Sequence, residues 1–124
     1  MSKVFTDVEV FLSACGQKHP NFPSEPNELS DLYLKLIDEE YNEFAEAVAD
    51  NDDAEQLDAC FDMMWVIIGY MKARGWDCET AWDEGAKSNL SKINPTTGMV
   101  FRREDGKILK PEGWKPPNFA KFVK

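Results

Sequence analysis

The stretch "LKLIDEEYNEFAEAV", Leu34 to Val48, sets three glutamates, Glu39, Glu40 and Glu43, among apolar residues at helical spacing. Projected at about 100° per residue from Leu29, the side chains of Leu32, Tyr33, Leu36, Ile37, Tyr41, Phe44 and Val48 fill an arc from about -60° to 120°. Glu40 falls inside that arc at about 20°, Glu43 lies near -40° and Glu39 near -80°, while Asp38 points away. The pattern predicts a helix from Asn27 to about Asp50 that carries a carboxylate on its buried side.

The next segment repeats the arrangement over a predicted helix from about Asp53 to Arg74, with Gly75 as its C-cap. Measured from Glu55, the apolar residues Leu57, Cys60, Phe61, Met64, Trp65, Ile67, Ile68 and Met71 occupy about 120° to 280°. Glu55, Asp58 and Asp62 lie at about 0°, -60° and -20°, along the other side. Like charges at this spacing repel one another, and burying Glu40 alone costs several kcal/mol. A divalent cation removes both penalties. An all-oxygen donor set selects magnesium, since softer metals take the cysteines and histidines that these helices do not cluster. The acids sit on helices rather than in a glycine-centred calcium loop, which excludes an EF-hand.

Bland readings stand beside these. A single helical glutamate is commonly just solvated, and Asp52 with Glu55 is also a capping box, so Glu55 is either a cap or a ligand. Asp62 differs, because aspartate is a poor helix former and its interior position calls for a functional or packing reason. His19 in a proline-rich loop reads as an ordinary polar group unless a partner orients it.

Around these two helices, the chain of 124 residues reads as one domain, 1–124, with a helical core over about 4–90 and a basic arm over about 91–124. A first helix is predicted over Val4 to Cys15, ended by Gly16, and "GQKHPNFPSEPN" is irregular. Thr80 with Asp83 predicts the start of a fourth helix that ends near Leu90. Beyond it, "MVFRR" and "KILK" flank a turn at Glu104, Asp105 and Gly106, and predict an irregular arm or short β-hairpin. The fold class is all-α, and the apolar load of "MMWVIIGYM" in so small a domain favours burial against another chain.

Charge is unevenly spread. Residues 1–86 carry 20 acidic and 5 basic side chains, whereas residues 87–124 carry 3 and 9, within a net charge of -9. Such a balance argues against a general nucleic-acid or anionic-membrane binder. Three cysteines, Cys15, Cys60 and Cys78, form no CxxC motif, and no apolar run approaches a membrane span. With Asp7 and Glu9 where a signal peptide needs its apolar core, the expected location is cytoplasmic.

The segments "DEEYNEF", "LDACFDMMWVIIG", "SNLSK" and "DGKILKPEGWKPPNF", in this order, resemble the all-alpha nucleoside triphosphate pyrophosphohydrolases. The match is to the small MazG-like and phosphoribosyl-ATP-pyrophosphohydrolase-like branch found in bacteria and their phages. The resemblance implies a four-helix core assembled as a homodimer or homotetramer with sites between subunits. It also implies magnesium or manganese held by an EExxE helix and by acids of the following helix, and water attack at the alpha-phosphate of a nucleoside triphosphate. On this chain, Glu39, Glu40 and Glu43 match the EExxE motif. Asp58 and Asp62 match the key aspartate pair of the phage-like form, with Glu55 as a further acidic position. Asn89 and Lys92 match polar positions after the fourth helix, and Lys110 with Trp114 match the C-terminal segment, where tyrosine is the commoner aromatic.

The resemblance and the charge pattern meet on one expectation. Glu39, Glu40, Glu43 and Asp62 act in catalysis, Asp58 and Glu55 join them at the metal, and Lys92 and Lys110 neutralise phosphates. The base is expected in a pocket formed by the "KHPNFP" loop and residues near Trp65, with His19, Asn21 and Phe22 as contacts. Phage relatives make dGTP and GTP the leading substrates, with phosphoribosyl-ATP, dUTP and dCTP as alternatives. A helical interaction or regulatory protein is the competing class, separable by its indifference to metal.

Overall fold

The structure, a computed structural model, describes residues 3–124. Among them α1 spans Lys3–Ala14, α2 Glu28–Ala49, α3 Asp53–Ala73 and α4 Cys78–Leu90, and a single 3-10 turn, Ala120–Phe122, lies near the C-terminus. The all-α reading holds, with helix boundaries within a residue or two of the sequence pattern. No helix among the described residues is long and apolar enough to cross a membrane.

The caps explain where each element starts. Asn27 accepts from the Ser30 backbone N–H at 2.9 Å, and Ser30 Oγ accepts from the Asn27 N–H at 2.8 Å, a reciprocal capping box for α2. Asp52 accepts from the Glu55 N–H at 3.1 Å and opens α3. The fourth helix begins earlier than Thr80. Asp77 is its cap and accepts from the Thr80 N–H at 3.2 Å, because a carboxylate outcompetes a hydroxyl for the exposed N–H groups of the first turn.

The pairing of α2 with α3 is antiparallel across the short turn at Asp50 to Asp52, and it follows heptad spacing on both helices. On α3 the seam residues are Ala59, Asp62, Val66, Gly69 and Ala73, of which all but Asp62 are buried. On α2 they are Ser30, Tyr33, Ile37, Glu40, Phe44 and Ala47, with Ser30, Tyr33 and Ala47 buried and the others half-buried. Tyr33 lies against Gly69, where any added Cβ would overlap its ring, and its hydroxyl donates to Gln17 Oε1 at 2.8 Å. Seven residues along each helix, that same register sets Glu40 opposite Asp62.

This seam lies on the acidic side of α3 and not on its widest apolar arc. The large apolar arc that includes Met64, Ile67, Ile68 and Met71 faces away from α2, toward α1 and α4. Small residues make the α2 contact because they let two backbones approach closely. Phe5, Val8 and Leu12 of α1 complete the core with Tyr33, Val66, Ile68, Ala73 and Cys78. Much of the remaining apolar surface stays open, including Leu57, Phe61 and Met64 on α3 and Tyr41 on α2.

The loop between α1 and α2 is fastened to the C-terminal end of α3. Ser24 donates its N–H to the Arg74 carbonyl at 2.9 Å, Arg74 Nε returns to the Ser24 carbonyl at 3.0 Å, and Asn27 Nδ2 reaches the Ala73 carbonyl at 2.9 Å. Gly75 there adopts φ +68° against the Phe22 carbonyl, so a side chain would be both strained and obstructed. The basic arm contains turns and two isolated antiparallel bridges, Ile93 with Val100 and Arg102 with Ile108, and no strand among the described residues. The hairpin expected over 99–103 and 107–110 is thus reduced to one bridge.

Substituting Gly69→Ala should lower stability by roughly 1–3 kcal/mol, since the Tyr33 ring is pinned at its hydroxyl and has little room to yield. Denaturant unfolding measures the loss. Combining it with Tyr33→Ala should give less than the sum of the two single losses, and strict additivity would refute the close contact.

Candidate functional site

Three carboxylates converge in the middle of the α2–α3 seam. Glu40 and Glu43 project from adjacent turns of α2 and Asp62 from α3, and each offers an oxygen within 4.8 Å of the others. Glu40 and Asp62 are half-buried and Glu43 is exposed. Oε2 of Glu40 is enclosed and has no hydrogen-bond partner. An anionic oxygen in that position is costly unless it is protonated or holds a cation.

The electrostatics reflect that cost. Burial pushes the Glu40 carboxyl up to about 7, and the charges of Asp62, Glu43 and Asp58 add to the effect. Burial also raises Asp62, helped by the charges of Asp58 and Glu43. Both carboxyls therefore hold their protons to higher pH than isolated carboxyls would. Three hard oxygen donors around an enclosed, unpartnered oxygen fit a divalent cation of the magnesium class.

The other acids expected at the metal stand differently. Asp58, one helical turn before Asp62, is exposed yet near enough to raise both Glu40 and Asp62. Glu39 is exposed and lies outside the converging trio. Glu55 is also outside it, at the start of α3, where its backbone N–H binds the Asp52 cap.

The expected substrate contacts fall into two separate places. His19, Asn21 and Phe22 belong to the loop fastened near Arg74, about 18 Å of helix from Asp62. His19 is half-buried with Nδ1 at 3.4 Å from the Pro20 carbonyl, and Phe22 is 71% exposed. Trp65 packs with Phe11 and Phe61, at ring-centroid separations of 5.5 and 5.7 Å.

Lys92, Lys110 and Trp114 do come together, at the far end of α4. The two ammonium groups stand 5.1 and 4.8 Å from the centre of the Trp114 ring, and Lys92 Nζ also donates to Asn89 Oδ1 at 3.2 Å. Trp114 Nε1 donates to the Ser88 carbonyl at 2.9 Å, while Ser88 Oγ donates to the Lys115 carbonyl at 3.0 Å. Ser88 is therefore an anchor that the sequence reading did not single out. Its signal was a small polar residue three after Gly85 and seven after Ala81, a spacing that turns it inward. Ser88, Lys92 and Trp114 border a cavity of about 770 Å³ that Lys87, Ser91, Glu112 and Lys115 also line.

The profile of the family described as Phosphoribosyl-ATP pyrophosphohydrolase matches residues 8–89. The chain belongs to this family. A nucleotide pyrophosphohydrolase activity goes with that membership, and the match covers α2, α3 and the whole acidic trio. It stops before Lys92, Lys110 and Trp114. No curated protein matches the chain.

The Glu40 shift has a defined sign. Its folded-state pKa is raised, so its contribution to stability is full below about pH 4.5 and is lost as pH rises through about 7. Thermal melts without metal should fall between about pH 6 and about pH 8 more steeply for the native chain than for Glu40→Gln. Magnesium at the higher pH should restore a few degrees to the native chain only. Identical profiles for the two proteins would remove Glu40 from the site.

Proposed function

We propose that the chain hydrolyses a nucleoside or deoxynucleoside triphosphate at the alpha-phosphate, giving the monophosphate and pyrophosphate. The observation that carries this reading is the enclosed, unpartnered Oε2 of Glu40 within the carboxylate trio, in a chain of pyrophosphohydrolase family. Glu40, Glu43 and Asp62 would hold magnesium or manganese, with Asp58 supplementing their charge. Once bound, the cation supplies Lewis-acid polarisation of the phosphoryl group and neutralises charge on the leaving pyrophosphate.

The protein's own groups do the rest. Glu43, the exposed member of the trio, orients the attacking water and accepts its proton at a carboxylate oxygen. The bond from the alpha-phosphorus to the bridging oxygen breaks, and its electron pair leaves with pyrophosphate. Glu39 extends the negative rim of the same helix face. Lys92 and Lys110, held on Trp114 beside Asn89, balance the beta and gamma phosphates. Exposed Phe22 offers a stacking surface beside His19 and Asn21 for a base, at a loop about 18 Å of helix from Asp62, so a nucleotide held at the trio would reach it only if the loop bends toward the seam.

A homo-oligomer in a reducing cytoplasm fits the open apolar side chains of α3 and the three free thiols. The role is control of the nucleotide pool. Guanine triphosphates come first among substrates through the phage-type resemblance, and the family description makes phosphoribosyl-ATP the specific second reading.

Incubation with each triphosphate, and with phosphoribosyl-ATP, in magnesium should release pyrophosphate and the corresponding monophosphate product, resolved by chromatography. Glu40→Gln and Asp62→Asn should each lose roughly a hundredfold or more in turnover while keeping their helical circular dichroism. Release of orthophosphate and a diphosphate, or full activity in chelator, would contradict the proposal.

A further inference from the structure

Among the described residues two polar side chains are buried, Ser30 and Ser88. Ser30 closes the capping box of α2. Ser88, 8% exposed, caps nothing, and both of its oxygens hold the arm instead. It lies in the last turn of α4, where backbone carbonyls run out of intrahelical N–H partners. The Lys92 N–H, which a continued helix would direct to Ser88, donates to the Asn89 carbonyl at 3.1 Å. Side chains take the place it leaves: Trp114 Nε1 donates to the Ser88 carbonyl at 2.9 Å and Ser91 Oγ at 2.6 Å. Ser88 Oγ in turn donates to the Lys115 carbonyl at 3.0 Å. One residue thus grips the edge of the indole and the backbone that follows it.

The gripped ring is what gathers the cations. Lys92 Nζ stands 5.1 Å and Lys110 Nζ 4.8 Å from its centre. In a chain with 23 acids, neither ammonium group forms an ion pair among the described residues, and the Asn89 oxygen that Lys92 meets is neutral. Two like charges held at one ring repel each other, so the pair favours an anion with several charged oxygens. The strap beyond the ring is fastened to the same helix. The Asn118 N–H donates to Glu84 Oε1 at 3.3 Å and Lys121 pairs with Glu84 at 3.6 Å, one helical turn before Ser88. Phe119 packs on Gly85, where an added Cβ would come within 3.2 Å of its ring.

We infer that Ser88 is a positioning residue for polyphosphate binding: by fixing Trp114 and Lys115 it holds Lys92 and Lys110 as a preformed pair of cations. This rests on the proposed hydrolysis, which assigns those ammonium groups to the beta and gamma phosphates, and adds the residue that sets their placement. Without the Ser88 hydroxyl the ring and both lysines are still present, but they must be ordered as the anion binds, and affinity falls by that cost.

The probe is inorganic tripolyphosphate in chelator, which reaches the two lysines without a metal at the carboxylates. Calorimetric titration of the full-length chain should show Ser88→Ala binding it roughly threefold to tenfold more weakly, the scale of one lost hydrogen bond. Ser88→Thr, which keeps the hydroxyl, should bind more tightly than Ser88→Ala. The four tryptophans give four indole N–H signals in a nitrogen-15 spectrum, and the one missing from Trp114→Phe belongs to the gripped ring. That signal should shift when tripolyphosphate is added to the native chain and should exchange faster with solvent in Ser88→Ala. With the best triphosphate, Ser88→Ala should raise KM by more than it lowers kcat. Native affinity for tripolyphosphate in Ser88→Ala, whatever its melting temperature, overturns the inference, and so does a native chain that does not bind the probe. Should Ser88→Ala not fold, Ser88→Cys, of similar shape with a weak donor, takes its place under the same criterion. If Ser88→Ala weakens tripolyphosphate binding while the native chain releases no pyrophosphate from any triphosphate, the hydrolysis reading falls and the positioning role stands. If the native chain hydrolyses and Ser88→Ala matches it in KM and in tripolyphosphate affinity, the positioning role alone falls.

Discussion

The α2–α3 seam is the constraint on which the rest depends. Its register is set where the Tyr33 ring fills the space that only Gly69 leaves, and where Gln17 holds the ring by its hydroxyl. Because both helices keep heptad spacing, that one contact also determines which residues meet a heptad away. The residues are Glu40 and Asp62, a layer of carboxylates in a position that a simple bundle would fill with leucine or valine. Packing energy elsewhere in the seam holds together two groups that repel each other.

That arrangement makes the site preorganised and costly at once. The fold brings carboxylates to a separation they would not choose, and burial first, then the neighbouring charges, raise Glu40 and Asp62 above the usual carboxylate range. A cation bound there would offset that cost and would link stability to metal through the same oxygen atoms, and the small buried core leaves little else to offset a defect in the seam.

Several parts of this picture were legible in the residues. Asn27, Asp52, Gly16 and Gly75 mark helix ends through cap chemistry that is local in sequence, and the structure follows them closely. The fourth helix shows the limit of such reading, because Asp77 and Thr80 are both competent caps and their competition decides the first turn. On α3 the projection found the widest apolar arc but not the side that α2 occupies. Hydrophobic periodicity measures where water is excluded, and a stripe of Ala59, Val66, Gly69 and Ala73 signals close approach of a backbone rather than apolar area.

The sequence by itself determined the helices, the three- and four-residue spacing of the acids and the basic character of the arm. Each of these depends on residues within a turn or two of one another. Only the tertiary structure decided that Glu40 and Glu43 meet Asp62 while Glu39 and Glu55 stay outside, since membership requires a register between two helices. It likewise decided that Lys92 and Lys110 gather on Trp114, which is tied to Ser88 near the end of α4. A helix pattern specifies a face, but the order in which faces stack is set by which surfaces fit, and no local spacing encodes it.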